Sequence, residues 1–237
     1  MGVNTTLSCT PYEERQPLPG EHMAWAESSA VIYANSMCGA RTNRESGISA
    51  LAAAVAGKSP NYGMHIKGNR APQVRVEVEA DEDMDEARAG ALGYLLGTRV
   101  GSAIPFVSGI GFRERYKLKG LLAAASTAAP LPLVHIEGIT AEMEWGRRRA
   151  PQEVEHRIGR EEIEEMRGRL SCDSEEPDCI LLGCPHLSIE EMSLLVRGMG
   201  DRKFDRPVFL LTCRRMATLA KELGFVERLE RAGAAMI

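Results

Sequence analysis

Between Ala26 and Gly47 the chain reads AESSAVIYANSMCGARTNRESG, a stretch crowded with groups that bind anions and hydroxyls. Arg41 and Arg44 each carry a guanidinium, whose fork of donors matches a carboxylate or a phosphate. Ser28, Ser29, Asn35, Thr42 and Asn43 are short polar side chains that orient oxygens at little cost in rotamer entropy. The residues between them are mostly Ala, Gly, Val and Ile. A small, polyanionic, hydroxylated molecule suits such a set. A helix-compatible run from Glu21 to Met37 would place His22, Glu27, Ser28, Ser29 and Asn35 along about four turns. The same residues would also make a capped, salt-bridged helix–turn–helix, and spacing alone leaves both readings open.

Six cysteines form the second group: Cys9, Cys38, Cys172, Cys179, Cys184 and Cys213. Buried small hydrophobes are the ordinary fate of free cysteines, with metal ligation or catalysis the alternative. In LLGCPHLS, Cys184 stands at the carboxyl end of an apolar strand and just before a helix. Open α/β sheets place ligand sites there, and a helix N-terminus favours a thiolate. Cys184 is thus the leading ligand or nucleophile, against the competing reading of an inert thiol. His186 follows it as a supporting or capping group. Cys213, in LLTCRR, ends the next strand, and adjacent strands would bring it within reach of a metal shared with Cys184. Cys9, in SCTPY, lies in a loop free to approach. Cys172 and Cys179 flank an acidic loop at no standard metal spacing. His65 stands in YGMHIKGNR, and His135, with Glu137 in LVHIEGIT, reads as a satisfied core histidine, with a catalytic role the alternative. There is no C-x-x-C, no G-x-G-x-x-G after a strand, no P-loop and no G-x-S-x-G, which argues against nucleotide binding and serine hydrolysis.

These groups need elements to hold them. Residues 1–20 carry Pro11, Pro17, Pro19 and Gly20 and read as a loop. SALAAAVAG gives a helix from Ser49 to Ala56, stopped by Gly57. Pro72–Ala80 alternates Val with Arg and Glu, as a half-exposed strand does. A helix over 81–97 opens on a carboxylate cluster. From about Lys117 the chain alternates regularly. A helix (LKGLLAAASTAA) precedes a buried strand (LPLVHIEGI), and a charged helix over 151–170 precedes the apolar strand DCILLGCP. Ser188 and Glu191 then form a capping box, followed by the strand PVFLLTC, two helices and a strand start at AAMI. Continuously apolar strands alternating with helices mean an α/β fold with mostly parallel sheets flanked by helices. The change of pattern divides the chain into a substrate-site segment, 1–115, and a Rossmann-like α/β domain, 116–237.

Composition sets outer bounds. The 237 residues carry a formal net charge of −4, with 44% hydrophobic, 26% charged and 5% aromatic residues. The absence of a basic block argues against a general nucleic-acid surface, and the scarcity of aromatics against a base-stacking platform. No stretch reaches the roughly 18–20 apolar residues of a membrane span, and no signal pattern opens the chain. The expectation is a cytoplasmic protein with reduced thiols.

The segments CTPY, GEHMAWAESSAVIYANS, GARTNRESGISALAAAVAGKSPNYGMH, HIEGIT and GCPHLS, in this order, resemble the large subunit of the aconitase X family. The resemblance spans nearly the whole chain and is most specific over Glu27–Glu45. It implies an aconitase-like fold of several α/β layers and a hydro-lyase. Members dehydrate mevalonate 5-phosphate to anhydromevalonate phosphate, in an archaeal isoprenoid route, or cis-3-hydroxy-L-proline. They hold an iron–sulfur cluster or iron on three cysteines and need a small swivelling subunit or domain. Carried over, Cys9 and Cys184 match two of the metal ligands, and the third is expected beyond Ile237. By the same resemblance this chain is the central part of the subunit. Cys38 and Cys213 stand where relatives often carry other residues, with Cys213 a weaker substitute third ligand. Arg41 and Arg44 would clamp the small anionic substrate, and Ser29, Asn35, Thr42 and Asn43 would position its oxygens. His22, Glu27 and Ser28 are the candidates at the reacting centre. The segment NRESGISALAAA is closer to the archaeal members, which favours the phosphorylated substrate. A truncated, non-catalytic fragment is the competing reading.

Overall fold

A computed structural model describes residues 8–80, 82–172 and 176–237. Residues 1–7, Asp81, and the first three residues of the acidic loop between Cys172 and Cys179 lie outside the described residues. Two compact units divide the chain: Met1–Gln16 together with Asp173–Ile237, and Pro17–Cys172. The change of sequence pattern near residue 116 falls inside the second unit.

The 1–20 loop contains one helical turn, α1 (Pro11–Glu14), with Pro11 in its first turn where no N–H is needed. The larger unit then begins with α2 (Ser28–Ser36) and α3 (Gly47–Ala56). Its sheet is built by β1 (Val74–Ala80), α4 (Glu86–Val100), β2 (Pro105–Ile110), α5 (Arg115–Ala128), β3 (His135–Ile136), α6 (Met143–Arg147), β4 (His156–Ile158) and α7 (Arg160–Leu170). All pairings are parallel, in the order β3-β2-β1-β4. The alternation expected of Pro72–Ala80 holds, since Val74, Val76 and Val78 are buried while Arg75 and Glu77 are partly open. Helix α4 starts later than expected because Asp85 caps it, accepting from Arg88 N at 2.8 Å.

Pro105 and Gly109 disguise β2 in the sequence. Gly109 has φ +88°, and a Cβ there would lie 1.9 Å from Val78 O, where the β1–β2 register shifts. LPLVHIEGI is buried as expected, yet only His135 and Ile136 pair as strand. The charged 151–170 stretch is helical only from Arg160. Glu162 accepts from Gly159 N at 3.1 Å and fixes that start, which leaves His156–Ile158 to pair with β1.

In the smaller unit, β5 (Ile180–Leu182), α8 (Ile189–Met199), β6 (Val208–Leu210), α9 (Arg214–Glu222), α10 (Phe225–Arg231) and β7 (Ala234–Met236) form a parallel sheet in the order β5-β6-β7. The expected capping box is present: Ser188 accepts from Glu191 N at 3.3 Å, and Glu191 from Ser188 N at 2.8 Å. Met192, Val196, Val208, Leu210, Met216 and Leu229 make the core. DCILLGCP is not a buried strand. Among the described residues β5 pairs only with β6, and at this edge Leu181 is 63% exposed. Among the described residues no helix is long and apolar enough to cross a membrane.

Candidate functional site

The polar stretch of the larger unit is held by a buried network. The helix expected from Glu21 begins only at Ser28, because Glu27 serves as its N-cap. Glu27 Oε1 accepts from Ser29 N and Ser29 Oγ, each at 3.1 Å, and from Ser28 Oγ at 3.5 Å. Oε2 of the same carboxylate has no partner among the described residues. Upstream the backbone is extended: His22 pairs with Arg41 in an isolated parallel bridge, with Arg41 N donating to Glu21 O and Met23 N to Arg41 O. His22 therefore sits beside Arg41 by backbone pairing and not on a helical turn of α2.

Asn35 and Thr42 are completely buried and committed to the chain itself. Asn35 Nδ2 donates to Thr42 O and Pro132 O, and its Oδ1 accepts from Thr42 N at 3.0 Å. Thr42 Oγ1 accepts from Trp25 N and donates to Asn43 O. Asn43 Oδ1 accepts from Met64 N at 2.8 Å, and its amide donates to Tyr62 O. Through these bonds the polar atoms of Asn35, Thr42 and Asn43 engage backbone and shape the segment. Ser29 is buried at 8% exposure, held by the α2 cap.

Sequence reasoning missed the centre of this network. Arg70 is fully buried and ties the segment together from 35 residues away, Nη2 donating to Asn35 O at 3.0 Å and Nη1 to Asn35 Oδ1 at 3.2 Å. Its Nε donates to Glu142 Oε2 at 2.6 Å, and Glu142 also lies 4.0 Å from Arg41. Arg41 Nη1 donates to His65 O at 3.0 Å. Arg44 is exposed, with no partner among the described residues. Thus His22, Glu27, Ser28 and Arg44 remain accessible, while Arg41 is partly committed. His65 was also passed over. It is 4% exposed, and its Nδ1 lies 2.8 Å from Nδ1 of His22. Burial, with the nearby His22, pushes its pKa below the usual histidine value. His135 is a core histidine as expected, Nε2 lying 2.8 Å from Arg70 O, and burial lowers its pKa too.

In the smaller unit, Cys9 Sγ accepts from the backbone N–H of His186 at 3.1 Å, which seats the thiol against the Cys184–His186 segment. His186 Nδ1 lies 3.4 Å from Ser8 Oγ. Cys184 is exposed and has no partner among the described residues. The N-cap of α8 is Ser188, so Cys184 precedes the cap by four residues and is not on the helix's first turn. Cys213 does not join the pair. It is 2% exposed in the apolar core, and burial pushes its thiol pKa up, which disfavours a metal-binding thiolate. Cys38 is buried, whereas Cys172 and Cys179 are exposed. Among the described residues no three His, Cys, Asp or Glu side chains are grouped to hold a metal. Cys9 thus lies against the segment that carries the accessible Cys184, and thiols are the donor type that iron and iron–sulfur centres take.

Three family models match in succession: Aconitase X first domain over residues 1–68, second domain over 72–168 and third domain over 177–237. The phosphomevalonate dehydratase large subunit of Methanothermobacter thermautotrophicus is 38% identical over the whole chain, which spans 59% of that relative. The cis-3-hydroxy-L-proline dehydratase of Hypocrea jecorina is 36% identical over the whole chain, which spans 42% of it. The crystal structure of Thermococcus kodakaraensis aconitase X (holo-form) superposes with a TM-score of 0.91 at 38% identity, covering all of this chain and 61% of that one. The chain thus spans about 60% of the length of the phosphomevalonate relatives it matches.

Proposed function

As the chain belongs to the aconitase X family, we propose that it serves a hydro-lyase that removes water from mevalonate 5-phosphate. The observation that supports this substrate is the 38% identity across the whole chain to a phosphomevalonate dehydratase large subunit, against 36% to a cis-3-hydroxy-L-proline dehydratase. The accessible guanidinium of Arg44 agrees with a doubly anionic substrate.

Dehydration takes a proton from carbon beside a carboxylate and hydroxide from the next carbon, leaving a double bond. Arg44 neutralises an anionic group, with Arg41 beside it held by its bond to His65 O. Glu27 presents Oε2, because Oε1 is fixed by the α2 cap. That arrangement suits a carboxylate that moves a proton or orients a hydroxyl, with Ser28 adjacent. His22 presents the ring nitrogen not engaged by His65. Ser29, Asn35, Thr42 and Asn43 hold these groups in place. Cys9 and Cys184 would ligate an iron–sulfur cluster or iron, with the third ligand from elsewhere, and such a group would supply Lewis acidity for loss of the hydroxyl. A separate small subunit completes the enzyme, in keeping with relatives named large subunits.

The test is water loss from both compounds, measured on the complete polypeptide with its small subunit. Turnover of mevalonate 5-phosphate is expected, and turnover of cis-3-hydroxy-L-proline alone would overturn the substrate. Cys184→Ala is expected to lose iron and activity together while remaining folded by circular dichroism. Full iron content in that variant would remove Cys184 from the ligand set.

A further inference from the structure

His22 and His65 come from segments 43 residues apart, yet their rings are nearly parallel, 7° between planes, with centroids 5.0 Å apart. Their Nδ1 atoms approach to 2.8 Å, a hydrogen-bond distance. Two neutral imidazoles in this contact share one proton: one Nδ1 carries hydrogen and the other offers its lone pair. The partner atoms outside the pair are unequal. Nε2 of His65 is buried with no hydrogen-bond partner among the described residues, whereas His22 is exposed. An orphaned buried N–H is rarer and costlier than an orphaned lone pair. The proton of His65 therefore belongs on Nδ1, where it has an acceptor, and not on Nε2. His65 also stays neutral, since burial, His22, Arg41 and Arg70 disfavour its charged form and outweigh Glu45.

The turn that carries His65 is built to hold this geometry. Asn43 Oδ1 accepts from Met64 N, Arg41 Nη1 donates to His65 O, and Arg70 Nη1 donates to Met64 O. Gly63, at φ +60°, is required beneath it, because a Cβ there would meet Asn43 Oδ1 at 2.2 Å.

We propose that His65 is a positioning residue for His22: its Nδ1–H donates to Nδ1 of His22 and holds the proton of the His22 ring on Nε2. His22 then faces a ligand as a neutral N–H donor, aimed at a carboxylate or hydroxyl oxygen. This rests on the reading of His22 as a substrate-facing group, but its physical content is separable from the reaction. A neutral donor of this kind polarises an oxygen without delivering a full positive charge, so the ring need not change protonation during turnover.

The test is nitrogen NMR of the protein with its five histidines labelled, at a pH where both rings are neutral, with no substrate present. Expected are a protonated Nδ1 and bare Nε2 for His65, the reverse for His22, and a through-hydrogen-bond coupling between the two Nδ1 atoms. Absence of that coupling, or a proton on Nε2 of His65, overturns the proposal. Asn places an amide nitrogen near the position of Nδ1, so His65→Asn is expected to preserve the His22 pattern, whereas His65→Leu loses it. With substrate, His65→Leu lowers kcat by about tenfold or more, with a smaller change in KM, and His65→Asn restores most of it. Equal losses in both variants would reduce His65 to packing. Should dehydration not be the reaction, the coupling is still expected, so the two readings fail separately.

Discussion

Arg70→Met is expected to lower the free energy of unfolding by about 3–5 kcal/mol, the scale of removing one partner from a buried, hydrogen-bonded ion pair. The guanidinium is fully buried and donates to Glu142 Oε2, Asn35 O, Asn35 Oδ1 and Met64 O. Methionine fills much of the volume but supplies no donor. Asn35 then loses two of its contacts, and among the described residues the Glu142 carboxylate keeps the long pairing with Arg41 at 4.0 Å. Urea unfolding measures the loss, and a change below about 1 kcal/mol would mean the network relaxes without cost. Because Asn35 also clamps Thr42 N and Thr42 O, the damage is expected to extend to the site. Glu142→Gln, whose side chain is 18% exposed and can still accept, should cost less.

The second large effect lies in the packing of α4 on α5. A Cβ on Gly93 would stand 2.0 Å from Leu121 O, and one on Gly97 would stand 2.4 Å from Ala125 O. The four-residue spacing puts both glycines on one face of α4, where they let the two backbones meet. Gly93→Ala is therefore expected to cost about 2 kcal/mol or more, since a helix must shift. That sign is opposite to helix propensity, which favours Ala over Gly by about 1 kcal/mol. Gly90, in the same helix, has open space around its Cβ position. Gly90→Ala should raise stability by up to about 1 kcal/mol. Thermal unfolding of the pair decides the matter: equal shifts of the same sign would show that the close approach is not what sets the cost.

What the sequence conveyed was local. The Ser188–Glu191 capping box, the Val alternation of β1 and the glycine stop of α3 each depend on neighbours within a few positions, and each is present. Errors arose where a distant partner decides the outcome. Glu21–Glu27 has a composition compatible with helix, but His22 and Arg41 pair their backbones across 19 residues, and that holds the stretch extended. DCILLGCP is apolar enough for a central strand, yet its place at the sheet edge is set by β6. Nothing near Asn35 and Thr42 in the chain announces Arg70, and the pairing of His65 with His22 is likewise invisible without the fold. In the fold, His22, Glu27 and Arg44 reach solvent while Asn35, Thr42, His65 and Arg70 brace them.

Helix α3 has no buried residue, and Ile48 and Val55 are 85% and 79% exposed. Its order therefore depends on its caps, Ser46 accepting from Ser49 N and Gly57 closing the last turn, and on a run of alanines. Helices of this length are marginal on their own in water. Its amides should exchange with solvent by local fraying, at rates indifferent to how stable α4 and α5 are. The segment that begins just after Arg44 and Glu45 thus holds conformational entropy in reserve. Whatever settles on α3 must first spend free energy to quiet it, so affinity at this face reports ordering as much as contact.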